Sequence, residues 1–489
     1  MERRGFLRTL GATTAGALVL PELLGSAEGK EGDRPSILFA IADDHSWPHT
    51  GAYGDRVVKT PAFDRLAKEG VLFARAYCAA ASCTPSRGGI LTGQWPHRLE
   101  AGGNLWSHLD KKFQCYPDLL EAAGYRVGCT RKGWGPGSIE GTGRTRNPAG
   151  PPFKSFEEFL RNQPKGKPFC FWFGSHEPHR PYALGSGKAS GIRLDAIQVP
   201  PFLPDDPIVR SDIADYYYEV QMFDSQVAGM LKTLDDAGLA ENTLVVVTSD
   251  NGMPFPRAKA NCYEFSTHMP LVVRWPARAR GEGRVEEFVS LADLGPTFLE
   301  AAGLKALPEM TARSILHLVT ADPAPEGAPR RDQVFVERER HASCRADNVS
   351  YPMRAIRTAE FLYIRNLEPD RWPAGEPSTS LGPGPPGYGD IDGGPTKSFI
   401  LEKREDPKIA PFFQRGCQKR PAEELYDLKT DPNELNNVAD RPEHAEAKAR
   451  LRLELDRWMA ETGDPRARGG GTEFDRYPYV GSRTPPAKP

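Results

Sequence analysis

Short apolar runs that alternate with helical patterns limit this chain to few folds. Four runs are too short for buried helices and lack the alternation of half-exposed strands, and they cover residues 37–42, 169–173, 244–247 and 271–275. Such runs are typical of strands covered on both faces of a parallel sheet. Strands and helices in alternation therefore predict an α/β sandwich around a mostly parallel sheet. In such sheets ligands bind beyond the carboxyl ends of the strands.

Helix signals lie between these predicted strands. Pro61 in a first turn and Gly70 as a stop delimit one helix, and Pro117 and Gly124 delimit another. A longer amphipathic helix ends near Gly238. Its apolar face consists of Ile213, Tyr217, Val220, Val227, Leu231 and Leu234. These helices are the expected covering layers of the sheet.

The chain changes character near residue 330, and its 489 residues are more than one ordinary core needs. Short strands are predicted at 334–336 and 361–364, and a helix at about 442–461. Residues 372–395 are rich in proline and glycine and form a loop that is either mobile or covers a pocket. The expected units are a first domain over 34–330, a C-terminal subdomain over 331–470 and an irregular tail over 471–489.

The first 27 residues resemble an export signal rather than part of the fold. Arg3 and Arg4 form a twin-arginine pattern, which a weakly apolar run over 10–24 follows. The alternative is a basic N-terminus before a membrane anchor, but Pro21 interrupts the run. We expect export by the twin-arginine translocase to a periplasmic or extracellular location, and no membrane span in the mature chain.

Composition limits the classes of partner. A formal net charge of −2 gives no reason to expect nucleic acid or an acidic membrane surface. The eight cysteines contain no C-x-x-C pair, which argues against a structural zinc site. Disulfides are compatible with export, and their pairing stays open. An anionic substrate would have to be bound by a local cluster of basic residues.

Two pairs of oxygen-bearing side chains directly follow predicted strands. Asp43 and Asp44 come after the first strand, and Asp250 and Asn251 come after the strand at 244–247. Carboxylate and amide oxygens are the ligands that Ca²⁺ or Mg²⁺ prefers, whereas a softer metal would recruit histidine or cysteine. Taken singly, the first pair is also typical of a turn and the second of a tight hairpin. Together they predict a hard-cation site at one edge of the sheet.

The segment from Cys83 to Gly93 carries the motif C-x-P-S-R followed by x-x-x-L-T-G. This motif resembles the signature of the sulfatase family. The resemblance implies that a maturation enzyme oxidises Cys83 to formylglycine (3-oxoalanine) and that the hydrated aldehyde attacks sulfur. A hydrated aldehyde suits this task because its second hydroxyl can expel sulfate after the first has attacked. A single cysteine is otherwise most often a buried small hydrophobe or half of a disulfide.

The resemblance also implies a fold and a cofactor. The expected fold is an alkaline-phosphatase-like sandwich in the catalytic domain, with a small antiparallel sheet and a helix in a C-terminal α+β subdomain. The expected cofactor is Ca²⁺, with Mg²⁺ as an alternative. Its implied ligands are Asp43, Asp44, Asp250, Asn251 and the oxygen formed at Cys83.

Basic side chains match the family's sulfate-binding positions. Besides Cys83, the implied catalytic residues are Arg87, Lys132, His176 and Lys259. The resemblance implies that Lys132, His176 and Lys259 also contact sulfate. His179 is a further candidate for substrate binding. Trp134 departs from the family pattern, because most sulfatases carry a second histidine there. His176 or Lys259 would then protonate the leaving group. Alternatively, the leaving group is a basic amine, which needs less help from an acid.

Three segments resemble the heparan N-sulfatase branch in particular, namely 250–256 (D-N-G-M-P-F-P), 175–180 (S-H-E-P-H-R) and 350–354 (S-Y-P-M-R). His341 and Arg354 join the candidate substrate contacts. The branch implies a sulfohydrolase that removes N-linked sulfate from a sulfated amino sugar of the heparan type. Three alternatives stay open: an O-sulfatase on such a glycan, a phosphonate or phosphate monoester hydrolase of the same superfamily, and a catalytically silent glycan-binding protein.

Overall fold

The computed structural model describes residues 34–481 apart from 280, 282, 321, 323–326, 328–329 and 379–385. The predicted export signal and the tail beyond residue 481 lie outside the described residues. The strands are β1 Ser36–Ala42, β2 Val71–Tyr77, β3 Ser107–His108, β4 Arg126–Arg131, β5 Gly137–Ser138, β6 Phe169–Gly174, β7 Thr243–Ser249, β8 His268–Met269, β9 Leu271–Arg274, β10 Gly283–Ser290, β11 Gln333–Arg338, β12 Met353–Thr358, β13 Phe361–Asn366 and β14 Glu423–Asp427. The helices are α1 Pro61–Glu69, α2 Cys83–Thr92, α3 Tyr116–Ala122, α4 Phe156–Arg161, α5 Ser186–Ala189, α6 Pro207–Asp236, α7 Glu264–Thr267, α8 Leu294–Ala301, α9 Leu316–Val319, α10 Pro395–Glu402, α11 Ala410–Cys417, α12 Ala445–Glu461 and α13 Glu473–Arg476. None of the helices described combines the length and the apolar character that a membrane span requires.

An eight-stranded sheet forms the central layer of the α/β sandwich. Its order is β10-β2-β9-β7-β1-β6-β4, and β8 pairs with β2. β1 lies between β6 and β7 and is parallel to both, and β4 is parallel to β6. The prediction of an α/β fold with a mostly parallel sheet is confirmed.

Helices cover both faces of this sheet because the side chains of β1 alternate between two apolar clusters. Ile37 and Phe39 pack in a cluster with side chains of α2, α3 and α8. Leu38 and Ala40 pack in a second cluster with side chains of α1, α4 and α6. Burial on both faces explains why this strand has a continuous apolar sequence.

For one strand, the predicted direction is wrong. The apolar run at 271–275 predicts a parallel strand, but β9 is antiparallel to both β7 and β2. A parallel neighbour needs a crossover connection to the opposite edge of the sheet. The chain between β7 and β9 instead forms a loop with the four-residue helix α7 and returns from the edge it left. Burial on both faces gives the same apolar run for either direction.

A second sheet supports the C-terminal part. Its order is β11-β12-β13-β14, and each pair of neighbours is antiparallel. Leu451, Leu455 and Trp458 of α12 pack against this sheet, which confirms the expected small α+β unit. The predicted helix at 442–461 begins later, at Ala445, because Pro442–His444 form a 3₁₀ turn.

The predicted irregular tail is partly ordered, which corrects that expectation within 471–481. Phe474 in the short helix α13 is 1% exposed. The Val480 N–H donates to the Trp106 carbonyl oxygen at 2.9 Å. A glycine-rich composition does not reveal such contacts, because the partners are distant in sequence.

Candidate active site

The polar pairs that follow β1 and β7 meet because these strands are parallel neighbours, with Ala42 opposite Ser249. The Asp44 N–H donates to Asp250 Oδ1 at 3.1 Å. Asn251 Nδ2 donates to Asp44 Oδ1 at 2.6 Å. The two pairs thus form one buried cluster at the carboxyl edge of the sheet.

Cys83 is the first residue of α2 and faces this cluster. Its Sγ lies 3.5 Å from Asp43 Oδ1, and the residue is only 2% exposed. Burial raises the pKa of the Cys83 thiol well above its ordinary value. The helix therefore delivers a buried residue-83 side chain to the same edge as the carboxylates.

Arg87 lies one helical turn after Cys83 and is fully buried. Its Nε donates to Asp250 Oδ2 at 2.7 Å. Its Nη1 donates to the carbonyl oxygens of Lys132 and Gly133 at 2.8 and 3.1 Å. Arg87 therefore fastens the loop after β4 to the residues after β7.

Two lysines each hold one carboxylate of the Asp43–Asp44 pair. Lys132 Nζ donates to the two oxygens of Asp43 at 2.6 and 2.7 Å. Lys259 Nζ lies 2.5 Å from each oxygen of Asp44. Burial opposes ionisation of Asp43, but Lys132 holds the pKa of that carboxyl well below its usual range. Carboxylates and cations are therefore packed alternately at the site.

The donor atoms fit a hard divalent cation. One ligand atom from each of Asp43, Asp44, Cys83 and Asp250 lies within 4.8 Å of the others. Asn251 Oδ1 is buried and accepts no hydrogen bond from the described part of the chain. An unpartnered buried amide oxygen is costly, and a cation bound among oxygen ligands would remove that cost.

Three histidines surround the cluster. His176 follows β6 at the same edge, and its side chain is exposed. Partial desolvation of the ring lowers its pKa, and the positive charge of Arg131 lowers it further. His179 Nε2 lies 3.8 Å from Asp44 Oδ2, while its Nδ1 donates to a backbone carbonyl. His341 Nδ1 lies 2.7 Å from Ser82 Oγ, directly before Cys83, and burial lowers the pKa of His341 to about 3. The structure therefore brings all three near the site.

Trp134, at which the sequence departs from the expected motif, packs into the apolar core. It is 4% exposed, and its indole nitrogen donates to none of the described residues. The position therefore adds packing area and offers no titratable group for proton transfer.

The structure does not bring Arg354 to this cluster. Its guanidinium is 0% exposed and lies between β12 and the segment after α12. The Nε atom donates to Asp464 Oδ2 at 2.5 Å, and Nη2 donates to Glu339 Oε1 at 2.8 Å. This guanidinium is fully buried among acidic side chains, so we propose a structural role in place of the expected substrate contact.

Replacing Arg354 with leucine tests that role. We expect the free energy of unfolding to fall by about 3–5 kcal/mol, because Asp464 and Glu339 would remain buried without their cation. Chemical denaturation measures the change. Arg365→Leu is the matched control, since Arg365 lies opposite Arg354 in β13 and pairs with the exposed Asp456. That control should cost less than about 1 kcal/mol. A stable Arg354 variant that has lost substrate affinity would restore the substrate-contact hypothesis.

Sequence reasoning missed Asp392, which belongs to the loop predicted at 372–395. Its Oδ2 lies 3.3 Å from Lys259 Nζ, and its carboxylate clusters with Asp44 and His179. Burial opposes ionisation of Asp392, but Lys259 holds its pKa well below the usual range. The described part of the loop therefore reaches the site. The only local signal is a G-D-I-D-G-G run, which is equally typical of a turn.

Comparison with known proteins identifies relatives over most of the chain. The sulfatase family model matches residues 35–137 and 152–304, and the model for the C-terminal part of N-sulphoglucosamine sulphohydrolase matches 258–373. The N-sulphoglucosamine sulphohydrolase of Homo sapiens is 31% identical to this chain, covering 88% of this chain and 91% of that protein. An ulvan-active sulfatase of Formosa agariphila is 27% identical, with coverages of 90% and 77%.

Solved structures share the fold. BT4656 in complex with its substrate D-glucosamine-2-N,6-O-disulfate gives a TM-score of 0.64 at 20% identity, covering 89% of this chain and 100% of that chain. The phosphonate monoester hydrolase of Agrobacterium radiobacter gives 0.59 at 19% identity, with coverages of 88% and 96%. The family model spans more than half of the residues, and the human relative aligns over most of both chains. This chain belongs to the sulfatase family.

Proposed function

We propose that this chain is a formylglycine-dependent sulfatase that removes N-linked sulfate from N-sulfoglucosamine of the heparan type. The observation that carries the proposal is Cys83, buried 3.5 Å from Asp43 and surrounded by the donor cluster, Lys132 and Lys259. The substrate is supported by the 31% identity to human N-sulphoglucosamine sulphohydrolase and by the branch-like segments at 175–180, 250–256 and 350–354.

The proposed cation is Ca²⁺, with Mg²⁺ as the alternative, because every protein donor is a hard oxygen once residue 83 carries formylglycine. Its proposed ligands are Asp43, Asp44, Asp250, Asn251 and the oxygen of residue 83. When bound, such an ion supplies positive charge at the nucleophilic oxygen and at the sulfate.

The chain's own residues bind the sulfate group, position one another and supply a proton. Lys132 and Lys259 direct ammonium groups at the cluster that residue 83 faces, so they are placed to hold the oxygens of a sulfate through its displacement. Arg87 keeps the loop that carries Lys132 in register with Asp250. His176, exposed at the edge, is placed to pass a proton to the leaving group.

Turnover of three substrates tests the proposed specificity. We expect kcat/KM for N-sulfoglucosamine to exceed that for glucosamine 6-O-sulfate and for an aryl phosphate by about 100-fold or more, because a pocket built for one substituent rejects the others. Cys83→Ala supplies the background rate. Faster release from the 6-O-sulfate or the phosphate would establish the corresponding alternative. No turnover together with an unmodified thiol at residue 83 would favour a glycan-binding protein.

Export and maturation form part of the same proposal. The twin-arginine pattern at Arg3 and Arg4 supports passage through the twin-arginine translocase to the periplasm or beyond. Oxidation of Cys83 requires a maturation enzyme. The proposed units remain a catalytic domain over 34–330, a C-terminal subdomain over 331–470 and a tail over 471–489.

A further inference from the structure

We propose that Asp392 receives the sugar nitrogen as sulfate departs and so makes the site selective for N-linked over O-linked sulfate. The inference rests on the proposed function, because it assigns specificity within the same site. It concerns a residue outside the signature motif, supplied by the loop between β13 and α10.

Asp392 lies at the open side of the cluster. Its side chain is 27% exposed, whereas the side chains of Lys259 and Asp44 are 1% and 0% exposed. Its Oδ2 is buried 3.3 Å from Lys259 Nζ and accepts no hydrogen bond from the described residues. Oδ1 is therefore the acceptor that a bound sugar can reach. A sulfate held by Lys259 would have this carboxylate beside it on the side where the sugar enters.

Lys259 does not need Asp392 as a partner. Its Nζ already lies 2.5 Å from both oxygens of Asp44. A second carboxylate beside a sulfate-binding lysine weakens the attraction for an anion, so anion binding does not account for it. His179 also lies beside this carboxylate, and a cationic or hydrogen-bond-donating group of the substrate would find an acceptor in it.

The fold presents Asp392 on an anchored segment. Two residues earlier, Asp390 is 1% exposed and pairs with the buried guanidinium of Arg338. Four residues later, the Thr396 hydroxyl donates to Asp212 Oδ2 at 2.6 Å. A carboxylate held from both sides is already placed for binding, so little ordering is required when the sugar arrives.

N-linked sulfates, which are sulfamates, and O-linked sulfates, which are sulfate esters, differ in the leaving atom. For an N-sulfated sugar the overall reaction is R–NH–SO₃⁻ + H₂O → R–NH₃⁺ + SO₄²⁻. The S–N bond breaks, its electron pair stays on nitrogen, sulfur bonds to oxygen, and nitrogen takes up protons and becomes cationic. An O-linked sulfate instead leaves a neutral alcohol. A carboxylate beside the leaving atom therefore favours departure of the amine.

Asp392→Asn separates this role from simple positioning. We measure kcat/KM for N-sulfoglucosamine and for an aryl sulfate, whose leaving group is not an amine. The loss on N-sulfoglucosamine should exceed the loss on the aryl sulfate by about 10- to 100-fold, as expected for one hydrogen bond to a charged group. Asp392→Glu should recover part of that difference. Asp370→Asn, at an exposed acid earlier in the same connection, is the control that should change neither rate.

Inhibition of aryl sulfate turnover provides a second readout. The wild-type protein should bind glucosamine, which is cationic, more tightly than neutral N-acetylglucosamine, and Asp392→Asn should lose that preference. Equal losses on both sulfates, or an unchanged inhibitor preference, would overturn the inference. A wild-type protein that hydrolyses the aryl sulfate but not N-sulfoglucosamine would refute the proposed function and, with it, the selectivity for N-linked sulfate; the inhibitor comparison would still show whether Asp392 binds a cationic amine.

Discussion

Cys83→Ala is expected to lower kcat by at least about 10⁴-fold, because removing a covalent nucleophile costs losses of that order. The fold should persist, since the change removes one buried sulfur atom and costs about 1 kcal/mol. Sulfate release measures the rate, and thermal unfolding measures the stability. In the wild-type protein, the mass of the tryptic peptide that contains residue 83 reports whether the thiol has become an aldehyde.

Cys170→Ala is the matched control for that variant. Cys170 is also 2% exposed, but it lies near the start of β6 rather than at the carboxyl edge of the sheet. This variant should keep its activity and show a similar small loss of stability. Full activity of Cys83→Ala would contradict the proposed nucleophile, and loss of folding in that variant alone would indicate a structural cysteine.

Asp250→Asn is expected to remove bound metal and to lower kcat by about 10³-fold, since a metal ion contributes several kcal/mol of charge stabilisation. The side chain keeps its size but loses the charge that both the cation and Arg87 require. Elemental analysis of the purified protein measures the metal content. A chelator should reproduce the loss in the wild-type protein, and added Ca²⁺ should reverse it.

Asp224→Asn controls for the loss of a buried carboxylate elsewhere. Asp224 is 4% exposed and accepts hydrogen bonds from the Ala62 and Phe63 amides, away from the donor cluster. The metal content of the Asp224→Asn variant should match that of the wild-type protein. Full metal content and full activity in Asp250→Asn would contradict the proposed cation site.

Local sequence patterns were sufficient to predict the position of residues that directly follow a buried strand. The Asp43–Asp44 and Asp250–Asn251 pairs were predicted to meet because apolar runs precede both, and the parallel register of β1 and β7 brings them together. Lys132 and His176 are implied by the resemblance to sulfatases, and the structure places them at the same edge because β4 and β6 are parallel neighbours. The resemblance to sulfatases added chemistry at Cys83 that no spacing contains.

Other features depend on partners that are distant in sequence. The direction of β9 follows from the loop that precedes it, and the burial of Arg354 follows from acids that lie just beyond β11 and α12. Asp392 meets Lys259 across more than a hundred residues, through a loop whose composition is equally compatible with a mobile segment.

The sequence by itself therefore determined the α/β layers and the donor pairs, because each depends on neighbours within a few residues, whereas the reactivity proposed for Cys83 rests on the resemblance of its motif to that of the sulfatases. Only the tertiary structure decided which charges face each other. A buried ion pair forms wherever packing brings opposite charges out of water, and neither partner marks that meeting locally. For this reason the sequence motif suggests a substrate contact for Arg354 whereas the structure buries it among acids, and Asp392, which no local pattern marks, lies beside Lys259.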